Sequence, residues 1–573
     1  MPIGHLIREH GRNPAVAERD FVRFGGERIS FAAYYAECVR WANLLRALRP
    51  TGDAPFHVGV LLDNTPDYLY ALGGAALAGA VLVGINNTKR GEHLARDVAH
   101  TDCQILITED KYRPLLAPIR AELRIASARV LVSRRWAEGA SPANAEPTPL
   151  GARDLDDALA EHGGGPDPLV PVRDSDTAVL IFTSGTVAAP KAVICSHGRL
   201  VETGKNLGAN MYHLTPDDVG YLAMPLFHSN ALMCGYCPAL FYGCSLGLIR
   251  KFSKTQWLAD IRRYGVTFFN YTGKPLAYLL TTPRLPDDHV NPLRICFGNE
   301  GSAATVREFA ERFDCQVIDT FGSTEGGAGV TRQPGDPSGS IGMPAPGIMI
   351  VDEHGRERPP ARFDASGRVL NPDEAIGEIV NTLGVGWFEG YYKNEDANRG
   401  RTRNGWYWSG DLGYRDERGY LYFAGRDVDW IRVDGENFPG RPIEEILLRH
   451  HDVALAAVYG VPDAQAGDRV MAALILRDGR VFDGVDFAAF LDRQPDLSPK
   501  WVPTYLRICS AWPETGTNKV LKRELQRQKF HLGADPLYWR PRGEPAYRPF
   551  GARDYAAVRA AFVASGSAAR LDV

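Results

Sequence analysis

The residues best placed to do chemistry begin at Phe182, where the chain reads FTSGTVAAPKAV, with Thr183, Ser184, Gly185 and Thr186 in a row and Lys191 shortly after. Hydroxyls, a glycine turn and an ammonium group suit a polyphosphate, whose oxygens accept hydrogen bonds and whose charge calls for a cation. The run Val187, Ala188 and Ala189 that follows holds no glycine to let backbone N–H groups close on an anion. The spacing does not give G-x-x-x-x-G-K-[ST], nor is FTSGT the G-x-S-x-G elbow of serine hydrolases. Cys234 and Cys237 form one C-x-x-C inside ALMCGYCPAL, with no second pair. They read as core cysteines rather than a zinc or redox site, and no cluster of metal ligands stands out.

Downstream come PLFHSNA (225–231), GNEG (298–301), FGSTEGG (321–327), GEIVN (377–381), WSGDLG (408–413), AGRDVDWIRVDGEN (424–437) and TGTNKVLKREL (515–525). In this order the motifs resemble those of the adenylate-forming superfamily, specifically its acyl-CoA ligases, over roughly residues 15 to 530. RKFSKTQWLADIRRYGVTFFNYTGKPLAYLL (250–280), GNEG and VDGENF point further, to fatty-acid-transport-protein-like ligases and actinobacterial relatives that act on very long or bulky acids, including steroid side-chain acids.

The resemblance implies two steps: carboxylate and ATP give acyl-adenylate and pyrophosphate, then the thiol of coenzyme A displaces AMP. It implies that Lys519 reaches the α-phosphate and carboxylate in the first step, that Glu325 holds Mg²⁺ and that Thr324 hydrogen-bonds a phosphate oxygen. Asn299 and Glu300 then line the adenine and acyl site. Phe321, where the family usually has Tyr, keeps a flat face for adenine beside Gly322. Asp411 takes the ribose hydroxyls with Arg426 as its neighbour, and His228 stands between the acyl pocket and the thiol tunnel. Met224, Asn270, Tyr271 and Thr272 are the acyl-pocket candidates. The C-terminal domain is expected to rotate between steps about a hinge at Val428, a position usually Asp or Lys, bringing Gly435 to the tunnel.

Against the family pattern T-S-G-T-T-G-x-P-K-G, Ala192 is a mild departure and Val187 and Ala188 are not. Val187 removes a hydroxyl donor to phosphate, worth about 1.5–3 kcal/mol. A Cβ at Ala188 adds about 1–2 kcal/mol if the backbone there is left-handed. Their sum, roughly 3–5 kcal/mol, corresponds to a rate loss on the order of a hundred- to several-thousand-fold. The loop serves the β- and γ-phosphates, which the acyl-adenylate lacks. The expectation is therefore an acyl-CoA ligase with thioesterification intact and adenylation weakened or lost, acting on acyl-AMP from a separate adenylating enzyme. The alternatives are a complete ATP-dependent ligase and an adenylating enzyme that loads a carrier protein.

The elements that must position these residues read as α/β. HVGVLL (57–62), AVLIF (178–182), LRICFG (293–298) and CQVIDTFG (315–322) are buried strands followed by turns, where ligands bind in such sheets. SAATVREFAERF (302–313) is a packing helix capped by Ser302. Residues 139–171 read as a surface connection. The expected organisation is a large multi-subdomain α/β domain (1–425), a hinge (426–429), a small mobile α+β domain (430–535), and a linker with a terminal helix (536–573).

The net charge of −4 over 573 residues disfavours nucleic acid or an anionic membrane as a general partner. A charged N-terminus and nine cysteines fit a reducing cytoplasm. The uncharged run 69–85 reads as a buried helix and strand rather than a membrane span.

Overall fold

The computed structural model describes all residues except 53–54, 138–150, 169, 184–189, 274, 334, 338, 365–368, 427–429, 434–435, 465–466, 495–496, 516–519, 531–532, 542, 565–567 and 572–573. Among the described residues the chain forms four sheets, three in the first 426 residues and one in the C-terminal domain.

The strand that carries Phe182 lies in a seven-stranded sheet in the order Arg153–Asp154, Val130–Ser133, Cys103–Glu109, His57–Leu61, Val81–Gly84, Thr177–Phe182, Ala192–Ser196. All its pairs are parallel except the last, a hairpin of Thr177–Phe182 with Ala192–Ser196. Parallel strands covered on both faces are apolar throughout, which is why these runs lack alternation. The uncharged run 69–85 falls in the buried helix Pro66–Ala78 and the strand Val81–Gly84, and among the described residues no helix is long and apolar enough to cross a membrane. The connection expected over 139–171 instead contains an edge strand and the helix Leu155–His162, capped by Asp154 and buried at Leu155, Ala158 and Leu159.

The eight-stranded sheet contains Gln316–Gly322, Ile295–Asn299, Phe268–Thr272 and Val219–Leu222 as consecutive parallel neighbours. Their carboxyl ends therefore emerge along one edge. A third sheet, built on Ile348–Val351, Gly377–Asn381, Trp406–Arg415 and Leu421–Arg426, is antiparallel.

The C-terminal sheet is centred on the long pair Val453–Asp463 and Gly467–Leu476, over its own apolar core around Ile443, Val458 and Leu506. The segment after 535, expected to be a linker, adds the edge strands Leu537–Trp539 and Arg548–Pro549 to this sheet. The helix Ala552–Ala564 follows and buries Phe562.

Candidate functional site

Four parallel strands deliver the motif residues to one edge, as α/β sheets do at their carboxyl ends. Val219–Leu222 leads into the turn of Met224 and His228, and Phe268–Thr272 carries Asn270, Tyr271 and Thr272. Ile295–Asn299 ends on Asn299 and Glu300. Gln316–Gly322 contains Phe321 and Gly322 and runs into Thr324 and Glu325.

Each turn is tied from behind. Asn64, buried in the bend between the strand His57–Leu61 and the helix Pro66–Ala78, donates to the Met224 carbonyl at 2.9 Å and accepts the Leu226 N–H at 2.9 Å, fixing the approach to His228. The Nδ1 of His228 accepts the Asn230 N–H at 3.2 Å, so the neutral ring carries its proton on Nε2. Asn230 donates to the Tyr271 carbonyl at 3.0 Å and accepts from Asn270 at 2.7 Å. Met224, Asn270, Tyr271 and Thr272 are all buried.

The Asn299–Gly301 turn needs a left-handed residue, and Glu300 takes it with φ 71°. Asp319 holds that turn by accepting the Gly301 N–H at 2.8 Å, and accepts the Tyr271 hydroxyl at 2.7 Å through the same oxygen. Burial pushes its carboxyl up to about 6, with Arg332, Tyr271 and the Gly301 N–H pulling the other way. Asn299 donates to the Gly322 carbonyl at 3.4 Å, and among the described residues its buried Oδ1 has no hydrogen-bond partner. Phe321 packs on Phe423 with ring centroids 5.7 Å apart.

Glu325 is buried and accepts the Tyr391 hydroxyl at 2.7 Å, and the Arg401 guanidinium lies 4.0 Å from the same oxygen. Burial raises its pKa, but Arg401 and Tyr391 outweigh it and hold the carboxyl below the usual glutamate range. Thr324 shares a hydrogen bond of 2.7 Å with Ser229, and its carbonyl accepts from Arg199. Asp411, buried in Trp406–Arg415, follows a turn in which Ser409 donates to the Ile379 carbonyl at 2.6 Å and Gly410 donates to Glu378 at 2.7 Å. Asp411 is the cross-strand partner of Arg426.

The loop joins the two antiparallel strands of that hairpin. Its neck is closed by the Thr183 N–H on the Lys191 carbonyl at 3.1 Å. The ammonium of Lys191 lies 5.7 Å from the centre of the Tyr391 ring. Ser184, Gly185, Thr186, Val187, Ala188, Val428, Gly435 and Lys519 lie outside the described residues, as does the side chain of Arg426.

The structure joins some residues that local spacing did not. Tyr391, Arg401, Asn64 and Asp319 hold the predicted ones, and only Asp319, a charge inside the apolar run CQVIDTFG, left a signal in the sequence. Contrary to the expected lack of metal-ligand clusters, the C-terminal domain brings His450, His451, Asp452 and Asp486 within 4.8 Å of one another. Its members pair mainly with one another and with Arg480: Nε2 of His450 meets Asp486 at 3.1 Å, its Nδ1 accepts the Asp452 N–H, and Arg480 lies 3.1 Å from Asp452. The C-x-x-C pair is not a disulfide, and burial raises the pKa of both thiols, to about 12 for Cys234 and higher for Cys237.

Comparison with known proteins agrees with this arrangement. Residues 7–392 match the AMP-binding enzyme family, and residues 442–519 match the AMP-binding enzyme C-terminal domain. The chain is 45% identical over 543 residues to the steroid-22-oyl-CoA synthetase of Rhodococcus jostii (strain RHA1), covering 93% of this chain and 94% of that protein. It is 44% identical over 514 residues to the medium/long-chain-fatty-acid CoA ligase FadD17 of Mycobacterium tuberculosis (strain ATCC 25618 / H37Rv), covering 89% and 94% respectively. Among solved structures, the anthranilate CoA ligase AuaEII in complex with anthranoyl-AMP aligns with a TM-score of 0.76 at 21% identity, over 92% of this chain and 96% of that one, a likeness of fold. The loss of adenylation expected from the loop finds no support in these relatives, each named as a CoA synthetase or ligase.

Proposed function

The chain belongs to the AMP-binding enzyme family, as an acyl-CoA ligase, and from that premise we propose a complete two-step reaction on apolar carboxylic acids of steroid side-chain or medium to long fatty type. In the first step a carboxylate oxygen attacks the α-phosphate of ATP and pyrophosphate leaves; in the second, the thiol sulfur of coenzyme A attacks the acyl carbonyl, and AMP and a proton leave.

Glu325 carries the preference for a complete ligase over one that takes preformed acyl-adenylate. A buried carboxylate stays charged only where it is paired or hydrogen-bonded, and Arg401 and Tyr391 keep Glu325 so. Its expected role lies with the departing phosphates, which only the first step handles. A carboxylate oxygen held ionised, next in the chain to Thr324, suits Mg²⁺, a hard cation, which when bound would draw negative charge from the phosphates.

In this reading the unpartnered Oδ1 of Asn299 accepts the adenine amino group, Phe321 stacks on the ring, and Asp411 with Arg426 fixes the ribose. Lys191 and Thr183 flank the phosphates at the neck of the loop, and Lys519 arrives from the small domain for the first step. After rotation about residues 426–429, Gly435 borders the thiol path beside His228. Met224, Asn270, Tyr271 and Thr272 bound the acyl chamber.

Mass spectrometry of coenzyme A thioesters tests this. Fatty and polycyclic acids are offered free with ATP and Mg²⁺ and, separately, as synthetic acyl-adenylates. Comparable product from both forms is expected. Product from the adenylates alone would overturn the complete reaction and return the loop-impaired one.

A further inference from the structure

Tyr391 lies where three parts of the nucleotide site meet. The strand leaving the loop is seamed to its segment: the Ile194 N–H bonds the Gly390 carbonyl at 2.9 Å, the Tyr392 N–H bonds the Ala192 carbonyl at 2.8 Å, and Val193 bridges Tyr391. The ring lies 5.7 Å from the Lys191 ammonium. The hydroxyl is 2.7 Å from Glu325 and 3.0 Å from Nε of Arg401.

The direction of this chain is fixed by its donors. A guanidinium N–H only donates, so the Tyr391 oxygen accepts from Arg401 and must turn its own proton to Glu325. Arg401 is anchored in turn by donating to the carbonyls of Trp408, at 3.0 Å, and Ser409, the residues leading into Asp411. With Gly410 at φ 71°, that turn is set for the guanidinium, because a Cβ there would lie 2.7 Å from Nη1 of Arg401.

We propose that Tyr391 and Arg401 are positioning residues of the first half-reaction, holding the Glu325 carboxylate in the orientation that receives magnesium-bound ATP. This rests on the reading of Glu325 as the magnesium carboxylate. The relay serves ATP and not the acyl-adenylate, so its removal divides the two half-reactions.

The test is Tyr391→Phe, which deletes one hydroxyl and keeps the ring over Lys191. Calorimetry measures binding of ATP with and without Mg²⁺ and of AMP alone. Stopped assays measure acid-dependent pyrophosphate release and thioester formation from synthetic acyl-adenylate. The expected result is about tenfold weaker binding of ATP with Mg²⁺ and about tenfold slower pyrophosphate release. AMP binding and thioester formation from the adenylate stay within about twofold.

Arg401→Lys, which keeps the charge but loses the planar fork, should fall between wild type and Tyr391→Phe. Unchanged ATP binding and pyrophosphate release in Tyr391→Phe overturn the proposal, as does an equal loss in every assay, which marks a purely structural bond. Glu325→Gln separates the two levels. If it leaves the Mg²⁺ dependence of ATP binding intact, the reading of Glu325 itself fails; if it abolishes that dependence while Tyr391→Phe is silent, only the relay fails.

Discussion

The nucleotide side of the large domain and its contact with the small domain are held in opposite ways. Glu325 in its turn, and Asp319 and Asn299 on their strands, are tied by hydrogen bonds at buried or half-buried positions, where each polar partner is costly to lose. The small domain instead meets the large one through ion pairs at the rim: Arg477 forks onto Glu308 at 3.1 and 2.9 Å, and Lys254 meets Asp478 at 3.0 Å, with side chains 27% to 49% exposed. Ala277 and Tyr278 supply the large domain's share of an apolar cluster otherwise made by the small domain, and Tyr278 also reaches Glu514. Exposed pairs are worth about 0–1 kcal/mol each. The contrast is between polar groups tied at buried positions and exposed ion pairs at the domain contact, a pattern that suits the rotation proposed for the small domain.

The strongest way to break this comparison is Glu325→Gln. Pyrophosphate release should fall by about a hundredfold or more while thioester formation from synthetic acyl-adenylate changes by less than about fivefold. Equal losses, measured by quenched-flow on both half-reactions, would mean that the rigid side does not serve the first step selectively.

Asp319 sharpens the comparison through pH. Its carboxyl is raised from 3.8 to about 6, so folding favours the protonated form. Its contribution to stability is full below about pH 4 and is lost as pH rises through about 6, roughly 3 kcal/mol in all. Thermal unfolding of Asp319→Asn across this range should be flatter than wild type by about that amount.

Restoring the family loop by Val187→Thr with Ala188→Gly should improve kcat/KM for ATP by less than about tenfold, because the complete reaction already runs. A gain of several hundredfold would revive the impaired reading. The smallest effect is expected of Arg477→Ala: fluorescence transfer between labels on the two domains should show a shift in orientation of less than about 1 kcal/mol, vanishing at high salt.

Much of this was legible in the chain because the chemistry-bearing residues sit beside strand ends. FGSTEGG placed Thr324 and Glu325 correctly at the edge of Gln316–Gly322, and SAATVREFAERF gave the helix Ala303–Phe313, with Ser302 accepting the Thr305 N–H as its cap. The holding residues were not legible. Tyr391 meets Glu325 across 66 positions, and nothing near GYYKNED says that its hydroxyl turns inward. Asn64 acts across 160 positions, from the bend that follows a strand of a different sheet. The edge strands after 535 were hidden by composition, since Arg, Pro and Gly read as linker while only pairing with Tyr505–Ile508 makes Leu537–Trp539 a strand.

The hairpin neck has an evolutionary consequence. The Thr183–Lys191 bond closes it, and its outgoing strand is seamed to Gly390–Tyr392, so the described residues on either side complete the sheet without help from positions 184–189. On the proposed function, changes at Val187 or Ala188 are expected to move nucleotide chemistry before they move the fold, so a lineage could alter the one without the other.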